Sequence, residues 1–150
     1  MTKDIKVKKR NGRLESINLD KINKCAERAS RGIENVSSSE IVLDASIQLY
    51  EKIPTSEIDK ALIMSARSKI EKEPNYNYVA ARMLLNNLYK EVFGETVDSD
   101  VFELQYKKNF ITNIKKLVRA GRLSPRLLEY DLKLLSEKLD IGRDLLFKYL

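Results

Sequence analysis

Val7-Lys8-Lys9-Arg10-Asn11-Gly12-Arg13-Leu14-Glu15-Ser16-Ile17-Asn18-Leu19-Asp20-Lys21-Ile22 decides how the first half of the chain folds. Asn11-Gly12 is a strong short signal for a tight hairpin turn, because both residues tolerate positive φ. Before it, Ile5-Lys6-Val7-Lys8 alternates apolar and polar as a half-buried strand does. After it, Leu14-Glu15-Ser16-Ile17 reads as the return strand. The chain therefore opens on a β-hairpin whose turn region carries Lys9, Arg10 and Arg13. Asn18 or Asp20 can cap the helix that follows. On that helix Ile22, Cys25, Ala26, Ala29 and Ile33 share one apolar face.

Working outward, Gly32 ends or loosens the first helix. Ser37-Ser38-Ser39-Glu40 opens a second, lined by Ile41, Ala45 and Leu49. Lys52-Ile53-Pro54 is too short for a helix and can add a third strand at the edge of the hairpin. Thr55-Ser56-Glu57-Ile58 is a third helix start, with Ile58, Leu62, Ala66 and Ile70 on one face and Pro74 closing it. From Tyr76 to Phe93 apolar residues run almost all round, which predicts a helix at the centre of a bundle, stopped by Gly94. Glu95 to Asp100 is polar and acidic and reads as a linker. Helical stretches are predicted near 101–120, 125–138 and 142–150, and the last of them, helix or strand, stops in mid-pattern. The expected fold is mainly α: a four-helix bundle capped by a small N-terminal β-hairpin or sheet over residues 1–94, followed by a helical segment over 95–150.

Composition narrows the function classes. Hydrophobic residues make up 43% and charged residues 33% of the 150, a globular balance. No apolar run approaches the about 18 residues a membrane span needs. Cys25 is the single cysteine, which excludes an internal disulfide and suits a reducing cytoplasm. There is no histidine, so triads with a histidine base and zinc sites of the Cys/His kind are excluded. Net charge is +6, divided as 17 basic and 13 acidic residues over 1–94 and 11 basic and 9 acidic over 95–150. The excess is mild, but residues 1–13 gather Lys3, Lys6, Lys8, Lys9, Arg10 and Arg13 against Asp4 alone, a density that suits phosphate.

An adenine nucleotide needs cations on short, stiff structure for its phosphates. Lys9 and Arg10 beside the turn meet that need, and Lys21, one turn into the first helix, can join from the side. Glu15 and Asn18 are candidates for ribose and base. Val7, Ile17 and Ile22 can wall the adenine. No Gly-x4-Gly-Lys pattern occurs, so this is not a P-loop. Residue by residue, the bland readings compete: a basic pair near a hairpin turn is ordinarily solvated surface, Val7, Ile17 and Ile22 ordinary core, and Thr55 an ordinary helix cap.

The run from Val7 to Ile22 resembles the start of the ATP-cone domain of class I ribonucleotide reductase large subunits: a lysine–arginine pair, a turn with glycine, then Glu-x-Ile-Asn-x-x-Lys-Ile. Thr55-Ser56-Glu57-Ile58 and Tyr76-x-Tyr78-Val79-Ala80-Ala81-Arg82 match in order. The resemblance covers residues 5 to about 94, and more loosely 95–150 as the beginning of the reductase body. It implies an allosteric activity switch in which ATP activates and dATP inhibits by changing subunit assembly. It implies magnesium with the nucleotide, a homo-oligomer, and the rest of the large subunit and the radical-generating small subunit as partners. It assigns phosphates to Lys9, Arg10 and Lys21, completed by Thr55 and Lys90. Base and ribose go to Glu15 and Asn18, and the base lining to Val7, Ile17 and Ile22. Many members carry histidine one turn after the threonine. Here that position is Asp59, a carboxylate that repels a triphosphate unless a metal bridges them or another cation such as Lys60 pairs with it.

The family's catalytic cysteines and barrel lie beyond residue 150, so no catalytic residue is expected here. Cys25 packs on the first helix. The chain is expected to be a fragment, a natural truncation or one piece of a split subunit. Two other readings stand beside the switch: a degenerate cone kept only as an oligomerisation module, and a basic nucleic-acid-binding helical domain. ATP-cones also occur in a repressor family, but behind a zinc ribbon whose cysteines are missing here.

Overall fold

The computed structural model describes residues 5–94 and 101–149. The predicted linker Glu95–Asp100, Lys3 and Asp4 of the basic segment, and Leu150 lie outside them. The described chain forms two compact units. One runs to Leu88 and includes Leu146 to Tyr149, and the other runs from Tyr89 to Leu145.

The first unit opens with β1 (Lys6–Lys8) and β2 (Leu14–Ser16), paired antiparallel with Val7 opposite Glu15. The connection is longer than a two-residue turn. The Lys9 amide donates to the Arg13 carbonyl at 2.8 Å, closing a five-residue loop. Within it only Gly12 has positive φ, at 83°. Asn11 instead uses its side chain, Oδ1 accepting the Arg13 amide at 3.1 Å, the local bond that makes asparagine a turn residue. The predicted third strand is present: β3 (Ile53–Pro54) pairs parallel with β1, Val7 opposite Ile53, giving the order β2-β1-β3. A parallel neighbour needs a long crossover. Here the crossover is α1 (Leu19–Ser30) and α2 (Ser38–Ser46).

Asn18 is the cap of α1, its Oδ1 accepting the Lys21 amide at 3.0 Å. Ser37 caps α2 in the same way, through the Glu40 amide. The third helix, α3 (Thr55–Ser68), follows β3 without a break. Thr55 is its first helical residue and not its cap: that place is held by Pro54, which supplies no side-chain bond. α4 (Tyr76–Phe93) ends at Gly94, whose φ of 90° only glycine adopts readily.

All four helices feed one core: Ala26 and Ala29 from α1, Ile41 and Ala45 from α2, Leu62, Ile63 and Ala66 from α3, and Tyr76, Val79, Ala80 and Met83 from α4. The alanines let the helix backbones approach closely. A smaller cluster under the sheet joins Val7, Ile53 and Ile58, with Ile17, Ile22 and Leu49 packed against it. Cys25 is half-buried against the main core, as expected. α4 is apolar all round in sequence, yet its burial is uneven: Val79, Ala80 and Ala81 are sealed, while Leu88 and Val92 are exposed.

The motif ending in Arg82 has a structural use. The Arg82 guanidinium donates from Nη1 to the carbonyls of Ala29 and Arg31 at 3.2 and 2.7 Å. It thereby closes the C-terminal end of α1. Tyr76 accepts the Ser37 amide on its hydroxyl at 2.9 Å, fixing the start of α2. Tyr149 returns to the same unit, its ring beneath Arg67 and its amide on the Asn77 carbonyl.

The second unit holds α5 (Phe102–Arg119), α6 (Leu132–Glu137) and two 3-10 turns, Pro125–Glu129 and Ile141–Leu146. The stretch predicted as one helix over 125–138 is divided. Asp131 caps α6 with its side chain on the Leu134 amide, which fixes a new start there. The predicted 142–150 helix is a 3-10 turn to Leu146. Tyr89, Phe93, Phe102 and Tyr106 form an aromatic group with Tyr89 and Phe102 edge-on at 4.9 Å. The Tyr89 hydroxyl donates to Asp144. No described helix is long and apolar enough to cross a membrane.

Candidate functional site: a cationic groove at the start of α3

β1 ends where α3 begins, and their register puts Lys8 opposite Pro54. The hairpin loop therefore overhangs the first turn of α3. Lys8, Lys9, Arg10, Pro54, Thr55 and Ser56 line a groove of about 200 Å³ between them. A helix start presents amide N–H groups with no intrahelical partner and a partial positive charge. Pro54 puts no capping side chain on that helix start, and helix-start amides suit an anion.

Both loop cations expected to hold phosphate, Lys9 and Arg10, are held by side chains. Lys9 Nζ lies 3.4 Å from Glu15 Oε2, so the pair joins β2 to the loop mouth. Arg10 Nη2 donates to Asn87 Oδ1 on α4 at 2.8 Å and lies 4.0 Å from Asp59 Oδ2 on α3. Asp59 is one turn after Thr55, so both share a helix face. Its side chain is 14% exposed against 35% for Arg10. The sequence left Asp59 to pair with Lys60 or another cation, and the structure places Arg10 4.0 Å from it.

Lys9, Arg10 and Thr55 thus meet in one groove, with Glu15 tied to its edge. Asn18 and Lys21 meet each other through the α1 cap. Val7, Ile17 and Ile22 meet in the apolar cluster beneath the sheet, where Val7 is only 4% exposed. Ile22 also lines a second, apolar crevice with Leu19, Leu49 and Ile58, whose volume of about 10 Å³ is too small for a base. Lys90 is half-buried in the last turn of α4, in the second unit.

Lys8 and Ser56 of the groove lining, and Asn87, which holds Arg10, escaped the sequence reading. Lys8 reads as an ordinary outward strand position, and Ser56 is hidden inside the Thr55-Ser56-Glu57 start. Asn87, 8% exposed, had a visible signal: an amide inside an otherwise apolar helical run. Among the described residues no three His, Cys, Asp or Glu side chains gather to hold a metal ion.

A basic hairpin overhangs a helix start on a bundle of four helices, and residues 5–91 match the ATP cone domain family. The chain belongs to that family. It is similar to the ribonucleoside-diphosphate reductase 1 subunit alpha of Escherichia coli strain K12, 32% identical over 99% of this chain and 19% of that protein. The Haemophilus influenzae subunit alpha is 35% identical over the same shares. That of Buchnera aphidicola subsp. Schizaphis graminum is 38% identical over 86% of this chain and 16% of that protein. The chain spans less than a fifth of the length of these relatives.

Proposed function

We propose that this chain is the allosteric nucleotide-sensing region of a ribonucleoside-diphosphate reductase large subunit, with the cone over residues 1–94 and the start of the reductase body over 95–150. ATP is the activating effector and dATP the inhibiting one. The observation that carries this reading is the convergence of Lys8, Lys9 and Arg10 on the uncapped start of α3, in a chain whose residues 5–91 match the ATP cone family.

In this reading Lys9 and Arg10 grip phosphates, the Thr55 hydroxyl completes that grip, and Lys21 adds charge. Glu15 and Asn18 serve ribose and base. For Val7 to touch the base, the hairpin must lift from the cluster that buries it, whereas Ile17 and Ile22 are only partly buried there. The groove's donors are cations and amides, which suit phosphate oxygens. A magnesium ion would take its ligands from the phosphates and water, with Asp59 the nearby carboxylate. The implied partners are the rest of the large subunit, a second copy of it and the radical-generating small subunit, in the cytoplasm.

Isothermal titration calorimetry with ATP and with dATP tests the reading. Saturable heat from the wild-type chain, abolished in Lys9→Ala/Arg10→Ala, is expected. No heat with either nucleotide at millimolar concentration sinks it. The degenerate-cone reading is favoured by one observation, the prior engagement of Arg10 by Asn87 and Asp59. Light scattering of the full large subunit with dATP separates the two, because a degenerate cone leaves assembly unchanged.

A further inference from the structure

Arg10 bridges three elements before any ligand arrives: it starts on the hairpin loop, donates to Asn87 on α4 and faces Asp59 on α3. Its two neighbours differ in charge, and that difference matters. Asn87 is a neutral acceptor, nearly buried, whose Oδ1 takes one N–H of a guanidinium that has five. The remaining N–H groups can serve a phosphate while that bond persists. Asp59 is an anion beside the same guanidinium that the ligand's negative charge must approach.

We infer that Asn87 and Asp59 are positioning residues for Arg10 that act on ligand binding in opposite directions. Asn87 orients the guanidinium toward the groove and strengthens binding. Asp59 is an internal counter-anion that a phosphate chain must work against, and it weakens binding in proportion to the ligand's charge. The inference rests on the proposed nucleotide site and adds how that site's affinity is set. It also gives the aspartate one turn after Thr55 a function of its own: it lowers the sensitivity of the groove without dismantling it.

Calorimetry on the whole chain tests this with ATP, AMP and inorganic tripolyphosphate as probes. Asp59→Asn removes the charge at constant shape. It is expected to tighten ATP and tripolyphosphate by about tenfold, since charges about 4 Å apart near a protein surface interact strongly even after partial screening. AMP should gain much less. Asn87→Ala is expected to weaken both polyphosphates by about tenfold, the loss of one hydrogen bond to a charged group. In an Arg10→Ala background neither substitution should change affinity more than about twofold, because residues that act through a shared partner lose their effect without it.

A second measurement needs no ligand. The Arg10 side-chain N–H resonance in 15N NMR spectra should shift in both single variants. If the wild type binds ATP but Asp59→Asn binds no tighter, or the resonance stays in place, this inference falls and the nucleotide site stands. If neither wild type nor Asp59→Asn binds any probe, the nucleotide site falls and takes the inference with it.

Discussion

Replacing Arg82 by alanine removes the group that closes α1. Two hydrogen bonds leave with it, at 3.2 and 2.7 Å from one guanidinium to the Ala29 and Arg31 carbonyls. Bonds to charged groups are worth about 1.5–3 kcal/mol each when the partner is left dry. The Arg31 carbonyl sits at the surface and regains water, so the two together come to about 2 kcal/mol. A cation at a helix C-terminus adds about 0.3–1 kcal/mol. The expected destabilisation is about 2–3 kcal/mol. In a unit of about 60–100 residues, 1 kcal/mol moves Tm by about 4–8 °C, so the melt should fall by about 10–20 °C. Circular dichroism melts of the whole chain measure it, and amide exchange localises it. Protection should drop first in the last turn of α1, at Arg28 to Ser30. Arg82→Lys should recover at most half, because an ammonium is a point charge without the planar fork. A loss under about 0.5 kcal/mol in Arg82→Ala, or full rescue by lysine, would refute the assignment.

Ile41 is fully buried between the helices; Ile41→Ala should cost about 2–5 kcal/mol and Ile41→Val about 1 kcal/mol in urea unfolding. Gly32→Ala tests backbone strain alone, since φ is 73° and nothing lies within 4 Å of an added Cβ; about 1 kcal/mol should be lost. Burial first, and then the Asp144 hydrogen bond and charge, raise the Tyr89 pKa above its model-compound value of 10.0. The folded state therefore favours the neutral phenol. That contribution is intact below pH 10.0 and fades as pH rises beyond it toward the raised folded value. Absorbance at 295 nm should show Tyr89 and Tyr106, raised chiefly by burial, ionising above the model-compound value of 10.0; Asp144→Asn should bring both earlier, and unchanged titration would count against the Asp144 contact.

Local signals made most of the first unit legible. Asn18 and Ser37 cap helices as their sequence positions indicate, and Gly94 ends one. Even the short third strand was readable, because Ile53-Pro54 is squeezed between two helical patterns. What failed was local chemistry with two solutions. Asn11 can adopt positive φ or bond its own backbone, and it takes the second course. Thr55 can cap or begin a helix, and it begins one. The contiguous part of the groove, Lys9 and Arg10, was visible because one loop supplies it. The pairing of Arg10 with Asn87 was not, since the two lie 77 positions apart and only packing brings them together.

The direct passage from β3 into α3 sets how the groove can respond. There is no hinge residue between Pro54 and Thr55, and proline fixes the backbone at the junction. Strand and helix therefore turn as one lever, with its short arm hydrogen-bonded to the hairpin and its long arm set in the bundle core. A tilt of the loop by even a few degrees has to be repaid at the far end of α3, where Ala66 is packed without clearance, or else by breaking the pairing of Val7 with Ile53. The cheapest motion open to this site is therefore a stepwise one, in which the pairing of β1 with β3 gives way before the helix moves at all.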